Sequence, residues 1–394
     1  MFSTILNPWL IFAAFVLQML FDKPYRITHP VVIIGKGLDV LERISRRWHE
    51  HGIMGLGRFR WRISLNTAGK WSLLVAMFCT ANVVYWLCAL PFIGLVVAML
   101  FSAMGLALGN LLYEVKKAAN IIKAADIIKD SKNSSLDDSH AGCTPDDTHD
   151  DANSTANLDQ ARQAVGMLVS RDTSELDQDQ LRRALAETVA ENFNDGFVAP
   201  LFWLTLTGPV GLWVYKCVST VDSMWGYRNE RYEDFGKAGA RLDDMLAYIP
   251  ARLSAALLWM AGPLVLCGAW PWIFKRIQAD AKTMESPNAG WPMATAAWMH
   301  GVPMGGPTPY FGVMKDKPVL GPKPSGEASG EVFGEQAPEP SGVWTHAPSG
   351  VWTHAPSGVW THDRLEKLCR HVKWAGIVGG ALALGFAVLV RMIF

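Results

Sequence analysis

Residues 161–195 read ARQAVGMLVSRDTSELDQDQLRRALAETVAENFND, and the rest of the chain is interpreted outward from this stretch. A polar turn, RDTS at 171–174, leads into a predicted helix. We expect that helix to begin near Asp177, because its carboxylate can accept hydrogen bonds from the free backbone N–H groups of the first turn. The stretch therefore predicts a polar turn followed by a capped helix.

Three acidic residues follow on this helix. Glu187, Glu191 and Asp195 are spaced by four residues, which places their carboxylates along one helix face. Residues 196–215 come next and are almost wholly apolar, so the acidic row ends at a membrane-like segment. That arrangement is unfavourable unless a cationic group meets the carboxylates. The alternative is a solvated helix face on which Arg183, one turn earlier, pairs with Glu187.

The composition indicates an integral membrane protein. The chain has 394 residues, of which 50% are hydrophobic and 17 are tryptophan, and its mean hydropathy is +0.14. The formal net charge is zero, so there is no overall basic surface for nucleic acid. The six cysteines are scattered and form no CxxC pair, which argues against both a disulfide framework and a zinc site.

Four apolar runs predict membrane helices, at 6–21, 71–89, 92–112 and 373–394. The first run is short and is interpreted as a short or tilted helix. Residues 36–70 carry many lysines and arginines, and the positive-inside rule therefore places that segment in the cytoplasm. These features predict an all-α, polytopic membrane protein.

Two further apolar segments are interrupted. Residues 197–215 contain a Gly-Pro pair at 208–209, and residues 253–274 contain another at 262–263 and a further proline at 271. Either both are kinked spans, or both are discontinuous, re-entrant segments that line a site. The re-entrant interpretation is favoured, because it leaves the polar stretches on either side of each segment facing the cytoplasm together.

Long polar sequence motifs, called polar words below, recur along the chain. They read HPVVIIG (29–35), VSRDTS (169–174), ETVAENFNDGFVAPLFW (187–203), YKCVSTVDSMWGYRNERYEDFG (215–236), ARLDDMLAYIPARL (240–253), SPNAGWPM (286–293), GGPTPYFG (305–312) and DKPVLG (316–321). In this order they resemble the adenosylcobinamide-phosphate synthase family of cobalamin biosynthesis, the CobD/CbiB family. The resemblance covers most of the chain outside residues 130–158 and 322–365.

The chain departs from the family pattern at a few points. The Gly-Asp-Pro after the first helix is replaced by the segment 21–24, FDKP. An Asn-Thr pair is Ser-Thr at 219–220, and the Ala-Gly that often follows PNAG appears as Met-His-Gly at 299–301. The central words remain intact.

The resemblance implies a reaction. Family members join a propionate carboxylate of adenosylcobyric acid to the amine of an aminoalcohol phosphate, (R)-1-amino-2-propanol O-phosphate or ethanolamine phosphate, and ATP drives the amide bond. A carboxylate and an amine do not condense in water without activation, and ATP chemistry commonly requires Mg²⁺ on hard oxygen ligands. ATP and Mg²⁺ are therefore the expected cofactors. The sequence has no Walker A motif, so the ATP expectation comes from the resemblance alone.

The polar words supply the candidate site residues. Carboxylates are candidate Mg²⁺ ligands, and basic side chains can hold phosphates or carboxylates. The candidate metal ligands are Glu187, Glu191, Asp195 and Asp222. The candidate catalytic groups are Lys216, Glu191, Asp243 and Asp244, with an aspartate accepting the amine proton. The candidate substrate-binding residues are His29, Arg171, Asp172, Thr173, Asn192, Arg228, Arg241, Arg252 and Asn288.

This interpretation divides the chain into five parts. They are N-terminal membrane helices with a basic cytoplasmic segment (1–129), a disordered acidic insertion (130–158), a catalytic core with the two broken segments (159–321), a Pro/Gly-rich linker with three PSGVWTHA-like repeats (322–363), and a C-terminal membrane helix (364–394). The insertion contains His140, Cys143 and His149, but no ligand spacing there supports a metal site.

The expected location is the inner membrane, with several spans and a cytoplasmic active site. The expected partners are adenosylcobyric acid, the aminoalcohol phosphate, membrane lipid and other corrinoid-pathway enzymes, with no nucleic acid. Two other classes remain open. One is a membrane transporter, since broken helices with charged residues also mark transport sites. The other is a non-catalytic membrane scaffold or sensor of the same fold.

Overall fold

The computed structural model describes residues 7–20, 29–51, 53–54, 60–61, 63–137, 148–266, 273–310, 313–322, 345–346, 352–353 and 358–393. The helices are α1 (Pro8–Leu20), α2 (Pro30–His51), α3 (Leu65–Cys88), α4 (Gly94–Gly105), α5 (Leu108–Asp137), α6 (Thr148–Gly166), α7 (Gln178–Phe193), α8 (Ala199–Trp225), α9 (Lys237–Val265), α10 (Phe274–Ala281), α11 (Gly290–His300) and α12 (His362–Ile393). A single π-helical turn, Asn194–Val198, separates α7 from α8.

The described strands are two or three residues long and form antiparallel pairs. They are β1 (Ile53–Met54), β2 (Arg60–Trp61), β3 (Met304–Gly305), β4 (Thr308–Tyr310), β5 (Val313–Lys315), β6 (Val319–Leu320), β7 (Thr345–His346) and β8 (Trp352–Thr353). The pairs are β1–β2, β3–β6, β4–β5 and β7–β8. The predicted all-α class is therefore confirmed.

Five helical stretches are long and apolar enough to cross a membrane. They are Leu65–Cys88, Gly94–Ile127, Gln178–Trp225, Lys237–Val265 and His362–Ile393. Helix α1 has 13 residues and is shorter than a usual span, as its sequence predicts. The helical stretch that contains the acidic row thus also contains the first interrupted apolar segment.

The first predicted break is present, as a kink inside α8. Gly208 has φ 74° and ψ −166°, a conformation open to glycine, and Pro209 follows without a backbone N–H. Two threonine hydroxyls just before the kink donate to backbone carbonyls one turn back. Thr205 Oγ1 lies 2.7 Å from Leu201 O, and Thr207 Oγ1 lies 2.6 Å from Trp203 O.

The second predicted interruption differs from expectation. Helix α9 continues through the Gly-Pro pair at 262–263 and ends at Val265. Gly262 lies against α11, since a Cβ there would lie 2.2 Å from Met299 Cε. The proline at 271 falls within 267–272, outside the described residues.

The segment 130–158, predicted to be a disordered insertion, also differs from that expectation at both of its ends. Helix α5 continues to Asp137, and α6 begins at Thr148, so both neighbouring helices extend into the segment that was predicted to be disordered. A polar composition disfavours a packed core, but it does not prevent residues next to a helix from extending that helix. Residues 138–147, with His140 and Cys143, lie outside the described residues, as does the side chain of His149.

The chain forms two compact units, each assembled from distant segments. Unit 1 comprises Met1–Asn110, Asn194–Leu253 and Gly376–Phe394, and unit 2 comprises Leu111–Phe193 and Ser254–Ala375. In unit 1, α2 and α3 pack on α8 around a buried apolar cluster that includes Leu38, Val221, Trp225 and Phe235. Gly69 of α3 allows this approach, since a Cβ there would lie 1.9 Å from Phe235 O.

A buried carboxylate ties α2 to the polar loop after α8 in unit 1. Glu42 accepts from Arg46 Nε at 2.8 Å, from Arg231 Nη2 at 2.8 Å and from the Tyr232 hydroxyl at 3.3 Å. Burial alone would raise the pKa of Glu42, but the hydrogen bonds and charges of Arg231 and Arg46 outweigh it and lower the pKa below 4.5.

We expect Glu42→Gln to lower the melting temperature, because it removes the charge on which these donors converge; the free-energy loss should be about 1–3 kcal/mol. The pKa of Glu42 is lower in the folded protein than in the unfolded one. The stability that Glu42 contributes is therefore present above its unfolded pKa, and it is lost as the pH falls through its folded pKa. The melting-temperature difference between wild type and variant should therefore shrink in acid. Glu50→Gln, at an exposed position of α2, is the control. An equal shift in both variants would contradict the assignment.

The third PSGVWTHA-like repeat contributes to the core of unit 2. Trp360 is only 2% exposed, and its indole Nε1 donates to Pro303 O at 3.0 Å. Thr361 caps α12, where its hydroxyl accepts from the Arg364 N–H at 3.3 Å. The linker interpretation therefore does not hold for this copy, because one buried indole and one cap hold it in place. Residues 323–344, 347–351 and 354–357 lie outside the described residues.

The repeats should therefore differ in their effect on stability. We expect Trp360→Ala to destabilise the protein by about 3–5 kcal/mol, as for other buried aromatic truncations. Deleting residues 340–355, which removes the first two copies and keeps the third, should leave the melting temperature and expression near wild type. Thermal unfolding of both variants in detergent is the measurement. A large loss in the deletion, or none in Trp360→Ala, would show that the third copy is not the structural one.

Candidate functional site

The polar turn before α7 is held by its own side chains. Asp172 accepts from the Ser174 N–H at 2.9 Å and from the Ser174 hydroxyl at 2.8 Å. These hydrogen bonds lower the pKa of Asp172. Thr173 is buried and its hydroxyl donates to Arg162 O at 2.9 Å. The structure therefore places Asp172 and Thr173, both candidate substrate-binding residues, in the contacts that shape the turn.

The predicted cap of α7 is confirmed. Asp177 accepts from the Gln180 N–H at 2.8 Å, and the Gln180 side chain accepts from the Asp177 N–H at 2.9 Å. This reciprocal pair satisfies donors at the start of the helix and fixes where it begins. These hydrogen bonds therefore fix the polar turn relative to the start of α7.

Glu187 is the centre of the unit 2 site. It is only 2% exposed, and Arg171 Nη2 donates to its Oε2 at 2.5 Å. The Gly305 N–H donates to its Oε1 at 2.8 Å. The predicted partner Arg183 is present, but its Nε lies 3.9 Å from Oε1, so Arg171 is the closer guanidinium. Both oxygens of Glu187 are engaged by protein donors.

A short antiparallel pair brings two more polar words to Glu187. Strands β3 and β6 pair Met304 with Leu320 and Gly305 with Val319. Gly305 has φ 83°, and a Cβ on it would lie 2.2 Å from Pro318 O, so the approach requires glycine. The words at 169–174, 305–312 and 316–321 therefore meet the first part of the word at 187–203, residues 187–193, in unit 2.

Glu191 lies one turn after Glu187 and is exposed. It interacts electrostatically with Lys317 of the last of these words, with Glu187 and with Arg171. Asn192 donates to Thr188 O of its own helix at 3.1 Å. The unit 2 site therefore combines three cationic residues, Arg171, Arg183 and Lys317, with the carboxylates of Glu187 and Glu191.

The word SPNAGWPM positions α11 in the same unit. The Ser286 hydroxyl accepts from the Asn288 N–H at 3.3 Å, which holds the turn before the helix. Asn288 is buried. Asp280, which no sequence motif singled out, accepts from Trp298 Nε1 and from the Gly321 N–H, each at 2.7 Å. It ties α10, α11 and β6 together.

A buried histidine pair also escaped the sequence interpretation. His371 Nε2 lies 2.7 Å from Leu258 O and can only donate to that carbonyl. His371 Nδ1 therefore accepts from His300 Nε2, 3.1 Å away. Burial lowers the pKa of His300 well below its ordinary value, and His371 and nearby cations lower it further. The pair is a neutral structural contact, and it occupies one of the positions that depart from the family pattern.

Unit 1 holds a second group of candidate residues, this one rich in acids. Lys216 Nζ donates to the Asp195 backbone carbonyl at 3.2 Å and interacts electrostatically with the carboxylates of Asp195 and Asp243. Asp243 in turn interacts with Asp222 and Asp244. Asp243 Oδ1 is buried and accepts no hydrogen bond among the described residues. The predicted catalytic Lys216, Asp243 and Asp244 are thus brought together.

The remaining unit 1 candidates lie around this group or serve the fold. Arg228 is exposed and interacts with Asp244, and Arg241 is exposed on α9. Arg252 stacks over the Tyr248 ring, with its Cζ 3.5 Å from the ring centroid.

His29 begins α2. It accepts from the Val31 N–H at 3.3 Å, and its Nε2 donates to Met104 O at 2.9 Å. Burial lowers the pKa of His29, its hydrogen bond to Met104 opposes that shift, and the charge of Lys216 adds to it. Both ring nitrogens are therefore used by a neutral imidazole that anchors the helix start.

The candidate metal ligands are divided between the units. Glu187 and Glu191 belong to unit 2, and Asp195 and Asp222 belong to unit 1. The α-helical period on which the acidic row depends also ends at Phe193, because Asp195 lies in the π-helical turn. No three His, Cys, Asp or Glu side chains of the described residues are arranged to hold a metal ion. The predicted set of metal ligands therefore stays a prediction. Asp243 Oδ1 has no hydrogen-bond partner among the described residues and lies near other carboxylates, which is compatible with a nearby cation.

Comparison with known proteins agrees with the polar words. The family described as "CobD/Cbib protein" matches residues 146–332. A "Cobalamin biosynthesis protein CobD" of Pelobacter propionicus is 34% identical over 331 residues, covering 80% of this chain and 85% of the relative. Its counterpart in Chromobacterium violaceum is 35% identical over 321 residues, with 80% and 88% covered. A Rhodobacter capsulatus counterpart is 44% identical over 175 residues, with 43% and 54% covered.

No solved structure matches this chain. The similarity to the curated relatives extends over most of their length, and the chain has five helical stretches able to cross a membrane. The chain therefore belongs to the CobD/CbiB family and is a multi-pass membrane protein of cobalamin biosynthesis.

Proposed function

We propose that this protein is an adenosylcobinamide-phosphate synthase. It joins a carboxylate of adenosylcobyric acid to the amine of an aminoalcohol phosphate, (R)-1-amino-2-propanol O-phosphate or ethanolamine phosphate. The observation that carries the proposal is the unit 1 group, in which Lys216 lies among the carboxylates of Asp195 and Asp243. Amide formation requires such a group, because the attacking ammonium must lose a proton before its nitrogen can act as a nucleophile.

Asp243 is the residue that accepts this proton. Its Oδ1 is buried and has no hydrogen-bond partner among the described residues, so it is available to an incoming N–H donor. Lys216 lies close enough to the carboxylates of Asp195 and Asp243 to interact with them and to help orient the acidic group. Asp222 and Asp244 complete the negative surroundings, which favour a cationic amine over an anionic competitor.

Mg²⁺-ATP would supply the activation of the corrinoid carboxylate. Either Asp195 and Asp222 of unit 1 or Glu191 of unit 2 is suited to hold Mg²⁺, since Mg²⁺ keeps several waters and needs only one or two protein carboxylates. Glu187 is less suited, because Arg171 and the Gly305 N–H occupy its oxygens. The role of these carboxylates is thus to hold a hydrated cation while basic side chains take the phosphates.

Purified protein tests the activity directly. Incubation with adenosylcobyric acid, Mg-ATP and each candidate amine should give adenosylcobinamide phosphate and consume ATP. A transporter, the class that the break at Gly208 would also suit, should instead move a corrinoid or amine across proteoliposomes without forming product. A scaffold should do neither. Product formation with one amine and not the other would also identify the substrate.

The proposed location is the inner membrane, with the site on the cytoplasmic side. The basic segment at 36–70 supports this side through the positive-inside rule. In a variant without native cysteines, we expect Ser223→Cys to react with a membrane-impermeant thiol reagent only in inverted vesicles. Leu90→Cys, between α3 and α4, should react only in intact spheroplasts. The reverse labelling pattern would place the site outside.

A further inference from the structure

The guanidinium of Arg183 lies at the unit 2 site, where its Nε has no hydrogen-bonding partner in the part of the chain that the structure describes. Its side chain is 30% exposed, and its Nε is 3.9 Å from Glu187 Oε1, beyond hydrogen-bonding distance. Nε is buried and donates to no acceptor among the described residues. Nη1 is 3.7 Å from the point where a Cβ on Gly306 would stand, so the head group lies beside the loop after β3.

Glu187 is the nearest carboxylate to Arg183, at 3.9 Å, but its hydrogen bonds go to other donors. Its carboxylate accepts from Arg171 at 2.5 Å and from the Gly305 N–H at 2.8 Å, so both oxygens are already engaged. A guanidinium stays charged at any physiological pH, and a half-buried one with an unmade Nε bond is unfavourable until an acceptor arrives. Arg183 thus has a charge and a planar donor fork but no acceptor within the described part of unit 2.

The surrounding charges favour an anion. Arg171, Arg183 and Lys317 carry three positive charges, and Glu187 and Glu191 carry two negative ones. Gly306 leaves the approach to Arg183 without a side chain of its own, and it holds a φ of 83° that suits glycine. Planar guanidinium groups bind phosphate oxygens in a bidentate fashion, which a point charge cannot do.

We propose that Arg183 binds the phosphoryl group of a substrate, with Glu187 holding Arg171 and the Gly305 loop in position around it. The proposal rests on the proposed function, since two of its substrates carry phosphoryl groups, the aminoalcohol phosphate and ATP. Both present the same chemistry to a guanidinium. Arg183 is then a specificity-determining residue that distinguishes the phosphorylated amine from the free aminoalcohol, or that holds the nucleotide.

Binding to the purified full-length protein in detergent tests this, using (R)-1-amino-2-propanol O-phosphate, the unphosphorylated aminoalcohol, ATP and adenosylcobyric acid as separate titrants. Arg183→Gln should weaken one phosphate-bearing ligand about 10- to 100-fold, the loss typical of a charge-assisted hydrogen bond. Arg183→Lys should recover part of the affinity, because it keeps the charge and loses the fork. Adenosylcobyric acid should bind as in wild type. Lys282→Gln, an exposed charge elsewhere in unit 2, is the matched control.

The separate titrations distinguish which ligand binds at Arg183. Loss for the amine phosphate alone places the amine substrate at Arg183, and loss for ATP alone places the nucleotide there. Unchanged affinity for both ligands in Arg183→Gln would overturn the proposal. So would an equal loss for every ligand in both Arg183 variants together with a lowered melting temperature, since that marks a structural role. Arg183-dependent phosphate binding by a protein that forms no product would leave the anion site standing and remove the proposed function.

Discussion

Asp243→Asn should lower kcat by about 10²–10⁴-fold, the usual contribution of a positioned general base. Asparagine has nearly the same shape, so the variant should keep its melting temperature and expression while it loses the ability to accept a proton. Asp243 differs in having a buried Oδ1 with no hydrogen-bond partner among the described residues, and it interacts with the three other aspartates of the group. The measurement is the steady-state rate of adenosylcobinamide phosphate formation at saturating substrates.

A matched control is available in the same unit. Asp234 is an exposed aspartate in the neighbouring polar word, and Asp234→Asn should leave kcat within twofold of wild type. If Asp243→Asn retained near-normal turnover, or if it lost activity only through unfolding, Asp243 would not be the base. Asp244→Asn would then be the next variant to measure, because Asp244 lies in the same electrostatic group.

Glu187→Gln should destabilise the protein by about 3–5 kcal/mol, because it leaves the buried Arg171 guanidinium without a counter-ion. The pair is nearly inaccessible, with the two side chains 9% and 2% exposed for Arg171 and Glu187. Thermal unfolding in detergent measures the effect. The double variant Arg171→Gln/Glu187→Gln should recover part of the lost stability, since it removes the unpaired charge along with its partner.

A metal role for Glu187 predicts a different pattern. Glu187→Gln would then keep its melting temperature and lose turnover mainly at limiting Mg²⁺. Glu175→Gln, in the exposed turn before α7, is the control for loss of an acidic side chain. Unchanged stability in Glu187→Gln would contradict the structural assignment and return this residue to the candidate metal ligands beside Glu191 and Asp222.

Local signals in the sequence predicted local structure well. Asp177 followed by Gln180 is a capping arrangement that depends on four consecutive residues, and both reciprocal hydrogen bonds are present. The kink at Gly208 follows equally from two neighbouring residues. The polar words identified the family because each combines many residues in a fixed order.

Contacts between distant residues could not be predicted in the same way. The sequence indicated Arg183 as the partner of Glu187, because residues four apart share a helix face. In the structure Arg171 lies closer, since a capped turn folds it back onto α7, and Gly305 arrives from a strand more than a hundred positions later. Asp280 and Trp360 were missed for the same reason. Neither residue has a local pattern that distinguishes it from a surface acid or a linker tryptophan.

The two threonines before the α8 kink have a consequence for how this segment enters the bilayer. A carbonyl left open in hydrocarbon is unfavourable by several kcal/mol, and a broken helix has more such groups than an intact one. The hydroxyls of Thr205 and Thr207 give Leu201 O and Trp203 O an additional donor from within the same segment. The kinked segment can therefore enter lipid with both threonine hydroxyls already bonded, before any neighbouring helix has assembled around it.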